Sequence, residues 1–117
     1  MVRKMKNVTL HDEIHLKLMR LVQAYPDMQQ RDIAKALGIS LGKANSCINA
    51  LVKKEFLKIE TVRTSENRVS HAYWLTPKGK VKKANLIGRF LVQKKEEYEL
   101  LKAEFDLLEQ ENSSKLC

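Results

Sequence analysis

The stretch Gln30-Arg31-Asp32-Ile33-Ala34-Lys35-Ala36-Leu37-Gly38-Ile39-Ser40-Leu41-Gly42-Lys43 decides the architecture. Asp27, with Gln30 three residues on, is expected to cap a short helix through Leu37, with Ile33, Ala34 and Leu37 on its inner face. Gly38 is placed to end that helix, because glycine takes the left-handed conformation without steric penalty. Ile39 reads as a buried turn residue and Ser40 as the cap of the next helix. Helix, tight glycine turn and helix together make a helix-turn-helix unit.

The helix that follows separates into two faces at about 100° per residue. Leu41, Ala44, Cys47, Ile48, Leu51 and Val52 share the inner one, and Gly42, Asn45, Ser46, Asn49 and Lys53 share the outer, with Lys43 and Lys54 on its flank. Amides and a hydroxyl can bond base edges or phosphates, and lysines supply charge for phosphate. No acidic residue interrupts this face. Ser40, Gly42, Lys43, Asn45, Ser46, Asn49 and Lys53 are therefore the candidate DNA contacts, weighed against an ordinary solvated helix face.

Beyond Phe56 the pattern changes to the alternation of a half-buried strand, Leu57-Lys58-Ile59-Glu60-Thr61-Val62-Arg63. Thr64-Ser65-Glu66-Asn67 is a polar turn, and Arg68 to Leu75 returns as a second strand, with Val69, His71, Tyr73 and Leu75 on one side. A helix-turn-helix followed by a hairpin predicts a winged helix, mainly α with a small β wing. Arg63 and Arg68 flank the wing, where arginine can enter the electronegative minor groove, weighed against an ordinary hairpin surface charge.

Upstream, Thr9 and Asp12 read as the capping pair of a first helix that Pro26 ends. Ile14, Leu18, Leu21, Val22 and Tyr25 form one stripe of that helix, while Leu16 and Met19 form a second stripe expected to meet a partner subunit. Downstream, Thr76-Pro77 opens a last helix expected to run to about Asn112. Its apolar positions Ala84, Ile87, Leu91, Tyr98, Leu101, Phe105 and Leu108 alternate steps of three and four, interrupted by Lys94. Such spacing predicts a coiled-coil seam. The expected organisation is residues 1–76 as a winged helix-turn-helix domain, 77–112 as a dimerisation helix, and 113–117 as a frayed tail.

Charge divides the chain in the same way. Residues 1–95 hold 20 Lys and Arg against 7 Asp and Glu, a balance of +13, whereas residues 96–117 hold 2 against 7, a balance of −5. The main body suits a polyanion and the acidic end does not. At 117 residues, with 44% hydrophobic and 31% charged residues, the chain predicts one folded domain rather than disorder. No apolar run approaches the roughly 18 residues of a membrane span. Nor does an apolar stretch follow the basic start, so no secretory signal is expected. Two cysteines, Cys47 and Cys117, make no disulfide framework and fit a reducing cytoplasm.

His11 and His15 are spaced i, i+4, but no Cys/His cluster completes a metal shell, and a solvated helix edge is the expected reading. His71 reads as a sheet residue. Cys47 reads as a small core residue rather than an oxidant sensor, since burial slows thiol chemistry. No nucleophile–base pair, carboxylate pair or phosphate loop stands out. No cofactor, metal or membrane partner is expected, and an enzyme reading is rejected.

The run from Gln30 to Lys43, together with Tyr73-Trp74-Leu75-Thr76-Pro77-Lys78-Gly79, resembles the MarR-type winged-helix regulators. The stretch Arg89-Phe90-Leu91-Val92-Gln93-Lys94-Lys95-Glu96-Glu97-Tyr98 is similar to the small bacterial subgroup associated with exopolysaccharide gene clusters. This resemblance implies a homodimer on double-stranded DNA, with third helices in successive major grooves and wings at the minor groove. It places Asn45, Ser46 and Asn49 at positions that face bases, and Arg68 beside the wing's basic position. Glu55 stands where the family often has glycine, implying a differently formed turn, and Asn67 replaces the usual wing aspartate. The chain is shorter than typical members, and no small-molecule effector is assigned. The competing class is a winged helix used only for protein contacts, with its long helix docked on a larger assembly.

Overall fold

Among the described residues, 9–63, 66 and 69–116, the computed structural model places α1 (Leu10–Ala24), α2 (Gln30–Leu37), α3 (Leu41–Lys53), β1 (Leu57–Arg63), β2 (Val69–Leu75) and α4 (Pro77–Leu116). Arg68, Asn67 and Cys117 lie outside the described residues. Contacts divide the chain into one unit over Thr9–Ile87 and another that includes the C-terminal stretch from Gly88. No helix among the described residues is long and apolar enough to cross a membrane.

The starts of α1 and α3 and the end of α2 form as their local sequences dictate. At α1 the Thr9 hydroxyl accepts from the Asp12 N–H at 3.0 Å and the Asp12 carboxylate accepts from the Thr9 N–H at 3.4 Å, a complete capping box. At the end of α2, Gly38 takes the left-handed conformation (φ 70°) and the Ile39 N–H reaches back to the Ala34 carbonyl at 3.0 Å. Ser40 then caps α3, its hydroxyl accepting from the Lys43 N–H at 3.1 Å.

The start of α2 departs from expectation. Gln29, not Asp27, is the N-cap, and it makes no side-chain cap bond. Gln30, the expected partner of Asp27, instead donates from Nε2 to the Tyr73 hydroxyl at 3.2 Å. The Tyr73 N–H also bonds the Pro26 carbonyl at 2.8 Å, so the α1–α2 loop is shaped by β2 rather than by its own cap.

In the Thr9–Ile87 unit the core gathers around α1, which packs against α2, α3 and β2 while α3 also meets β1. The core's buried hydrophobic residues are Leu16, Leu18, Met19 and Val22 of α1, Ile33 and Ala34 of α2, Ala44, Cys47, Ile48 and Leu51 of α3, and Leu57, Ala72, Tyr73 and Leu86. Leu16 and Met19, expected to meet a partner subunit, face the protomer's own core instead. They are 4% and 0% exposed inside the protomer and offer no surface to a partner. The two stripes are one wide arc, joined through Leu18 and Val22, because a central helix is covered on several sides.

His15, expected at a solvated helix edge, is buried. It is 5% exposed, and its Nε2 has no hydrogen-bond partner among the described residues. Burial first, then the neighbouring positive groups of His11, Lys54 and Lys82, hold its pKa down at about 4 from an ordinary 6.5, against the opposing pull of Asp12. Its ring lies 4.2 Å from that of His11.

β1 and β2 pair antiparallel, from Leu57 opposite Leu75 to Arg63 opposite Val69. Trp74 lies on the outer face and donates from Nε1 to Glu60 at 2.8 Å, across the two strands. Ala72 and Tyr73 are both buried, which breaks the expected alternation. The helix α1 covers one face of β2, and the Pro26 carbonyl covers its edge at Tyr73.

α4 continues to Leu116, so the segment expected to fray after Asn112 is helical to that point. Its buried contacts in the Thr9–Ile87 unit are Gly79 and Leu86, not Ile87. In the stretch from Gly88, Leu91, Tyr98, Leu101, Phe105 and Leu108 are all exposed, Leu101 at 64%. Lys94, at the seam's interruption, pairs with Glu97 at 3.3 Å, and Lys102 with Asp106 at 3.4 Å.

Candidate nucleic-acid interface

Two short caps hold α3 at a fixed angle to α2. The Gly38 turn redirects the chain and the Ser40 hydroxyl starts the next helix within two residues. With Ala44, Cys47, Ile48 and Leu51 buried, the opposite side of α3 is left to solvent. Ser40, Gly42, Lys43, Asn45, Ser46, Asn49 and Lys53 are all exposed there. Ser40 accepts its own helix's N–H and retains one O–H to donate. A Cβ built on Gly42 meets nothing within 4 Å, so the backbone lies open at the helix's first turn.

Leu41 departs from its expected inner position. It is 46% exposed, at the first turn of α3. No periodic signal reveals this, because a residue about 70° off the centre of a buried face is covered only where a neighbour overlies it.

The turn after α3, expected to form differently because of Glu55, instead keeps a glycine-like backbone at that residue. Glu55 adopts φ 66°, the left-handed region, and the Phe56 N–H bonds the Leu51 carbonyl at 2.8 Å. Its conformation is the one glycine would adopt, held here by a residue with a side chain. The Thr76 hydroxyl donates to the Glu55 carbonyl at 2.6 Å and accepts from the Gly79 N–H at 2.9 Å. Lys78 approaches the Glu55 carboxylate at 3.8 Å, and Lys78 and Lys82 lie over the Phe56 ring at 5.6 and 5.9 Å. Such surface charge contacts add little individually.

The wing places Arg63 at the last ladder pair, exposed and distant in sequence from α3. Arg68, its expected companion, lies outside the described residues. Among the described residues, no three His, Cys, Asp or Glu side chains gather as a metal site.

A family model for winged helix-turn-helix DNA-binding proteins matches residues 11–58. The chain carries the winged helix-turn-helix fold. Its solved neighbours include a MarR family transcription regulator, 18% identical over 96% of this chain and 68% of that one, at TM-score 0.58. The PcaV transcriptional regulator from Streptomyces coelicolor is 18% identical over 69% of this chain and 58% of its own, at TM-score 0.57. A MepR mutant from S. aureus is 18% identical over 86% and 76%, at TM-score 0.60. At these identities the likeness is one of fold. The winged-helix chain spans less than two thirds of the length of PcaV, at 58%. No curated protein matches it.

Proposed function

We propose that this MarR-type winged-helix protein is a sequence-specific double-stranded DNA-binding transcriptional regulator that acts as a cytoplasmic homodimer. The observation that carries the reading is the outer face of α3, exposed from Ser40 to Lys53 and free of carboxylates, on a chain whose first 95 residues carry a balance of +13. A helix so presented fits the major groove, with Asn45, Ser46 and Asn49 toward base edges and Lys43 and Lys53 toward phosphates. Arg63 and Arg68 serve the minor groove in this reading. Fluorescence anisotropy on a random duplex tests it. Affinity should fall with salt at a log–log slope of about −0.9 per phosphate contact. A salt-independent or absent signal contradicts it.

The exposed seam of Ile87, Leu91, Tyr98, Leu101, Phe105 and Leu108 supports the homodimer. One row of apolar side chains at heptad spacing asks for a second helix. Sedimentation at micromolar concentration should give twice the monomer mass, and Leu101→Glu with Phe105→Glu should return it to monomer. Exopolysaccharide gene clusters, implied by the sequence resemblance, are where an operator search begins.

One observation favours a second reading. Leu100 and Leu107 are also exposed, one heptad apart and off the seam. A two-stranded coil leaves them uncovered, which suits α4 docking onto a larger assembly. A monomer that binds no duplex DNA would select this reading.

A further inference from the structure

We propose that α3 reads an A·T-rich half-site, with Leu41 packed on a thymine methyl group. This inference rests on the DNA-binding reading above and adds the chemistry of the sequence recognised.

Leu41, Asn45 and Asn49 are spaced i, i+4, i+8, so they form one ridge along α3. All three are exposed, Leu41 among the large hydrophobic side chains open to solvent. The buried residues Ala44, Cys47, Ile48 and Leu51 occupy the neighbouring side of the helix. In a helix-turn-helix the first turns of the second helix reach the base edges, and Leu41 is the first residue of α3 after its Ser40 cap. The open backbone at Gly42 lets that turn approach closely.

The chemistry of the ridge narrows what it can read. A leucine side chain neither donates nor accepts a hydrogen bond. In the major groove the apolar group on a base edge is the C5 methyl of thymine. An asparagine amide matches the N6–H and N7 of adenine. Guanine is most often read by arginine or lysine, and α3 contains no arginine. Lys43 lies on the flank of the outer face, off the ridge, and Lys53 lies in the last turn, away from the base-reading end. One apolar residue followed by two amides therefore specifies thymine and adenine over guanine and cytosine.

The test begins with selection of duplexes from a random pool by the wild-type chain. Selected half-sites should share A·T pairs at the positions protected by α3. The chosen thymine is then replaced by deoxyuridine, which removes only the methyl group. Wild-type affinity should fall about fourfold per half-site, as expected for one buried methyl. Leu41→Ala should bind the thymine duplex as weakly as wild type binds the deoxyuridine duplex, and should be indifferent to the replacement. A helical circular-dichroism spectrum and a melting temperature of Leu41→Ala equal to those of wild type confirm that the variant is folded. Selected sites with G·C cores overturn this inference while leaving DNA binding intact, as does a Leu41→Ala variant still sensitive to the methyl. Loss of all salt-dependent duplex binding by the wild type overturns both.

Discussion

The hydroxyl of Thr76 donates to the carbonyl of Glu55 at 2.6 Å, fastening the start of α4 to the turn that ends α3. The same hydroxyl accepts from the Gly79 N–H at 2.9 Å. A Cβ on Gly79 would sit 2.1 Å from the Phe56 carbonyl oxygen, so this first turn of α4 lies directly on backbone. Thr76→Val should cost about 1–2 kcal/mol through the lost cap and the unpaired donor, and Thr76→Ser should recover most of it. Gly79→Ala should cost more, since backbone must move. Urea denaturation with unchanged slope would measure both, and a neutral Gly79→Ala would contradict the contact.

Glu55 holds the left-handed conformation at φ 66°. Glycine adopts that region without the Cβ penalty, so Glu55→Gly should stabilise the fold by about 0.5–1 kcal/mol despite a more flexible unfolded chain. Its exposed contact with Lys78 is a small loss. The denaturation midpoint should rise, and Glu55→Ala should give no comparable gain.

The parts of this fold legible in the sequence are those made by a side chain and its own backbone. Thr9 with Asp12, Gly38, and Ser40 each act within a few residues, and the structure places them as their spacing predicts. The parts that were not legible depend on distant neighbours. Asp27 loses its capping role because Gln30 is taken by Tyr73, 43 positions away. Leu16, Met19 and His15 are covered because α1 is central, which no pattern within α1 records. Leu86 rather than Ile87 is buried because Gly79 seats α4 against Phe56. At the candidate interface, the polar outer face of α3 was readable from its 3.6 periodicity, while the exposure of Leu41 was not.

His15 makes stability depend on pH in a defined direction. Its pKa of about 4 in the fold lies below the ordinary 6.5, so the unfolded chain binds the extra proton first. This residue's contribution is fully present above about pH 6.5 and is lost progressively as pH falls toward 4. The groups facing it are His11, Asp12, Lys54 and Lys82. The melting temperature should drop between pH 7 and pH 5, and His15→Leu should flatten that drop. An equally steep drop in the variant would assign the effect elsewhere.

Gly42→Ala separates folding from binding. The new methyl meets nothing within 4 Å in the protein, and alanine is favoured over glycine in a helix by about 1 kcal/mol. Stability should hold or rise. Duplex affinity should fall, because the methyl stands between the first turn of α3 and the groove. Unchanged affinity in calorimetric titrations would show that this turn does not approach DNA.

The central claim is that the outer face of α3 is the DNA interface, with amides reading bases and lysines holding phosphates. The most direct measurement compares single alanine variants on a selected duplex and a random duplex across a salt series. Asn45→Ala and Asn49→Ala should each cost about 1–3 kcal/mol on the selected duplex and almost nothing on the random one. Lys43→Ala should weaken both alike and shallow the salt slope by about one contact per subunit. Equal losses from all three variants on both duplexes, or no loss from any, would contradict the claim.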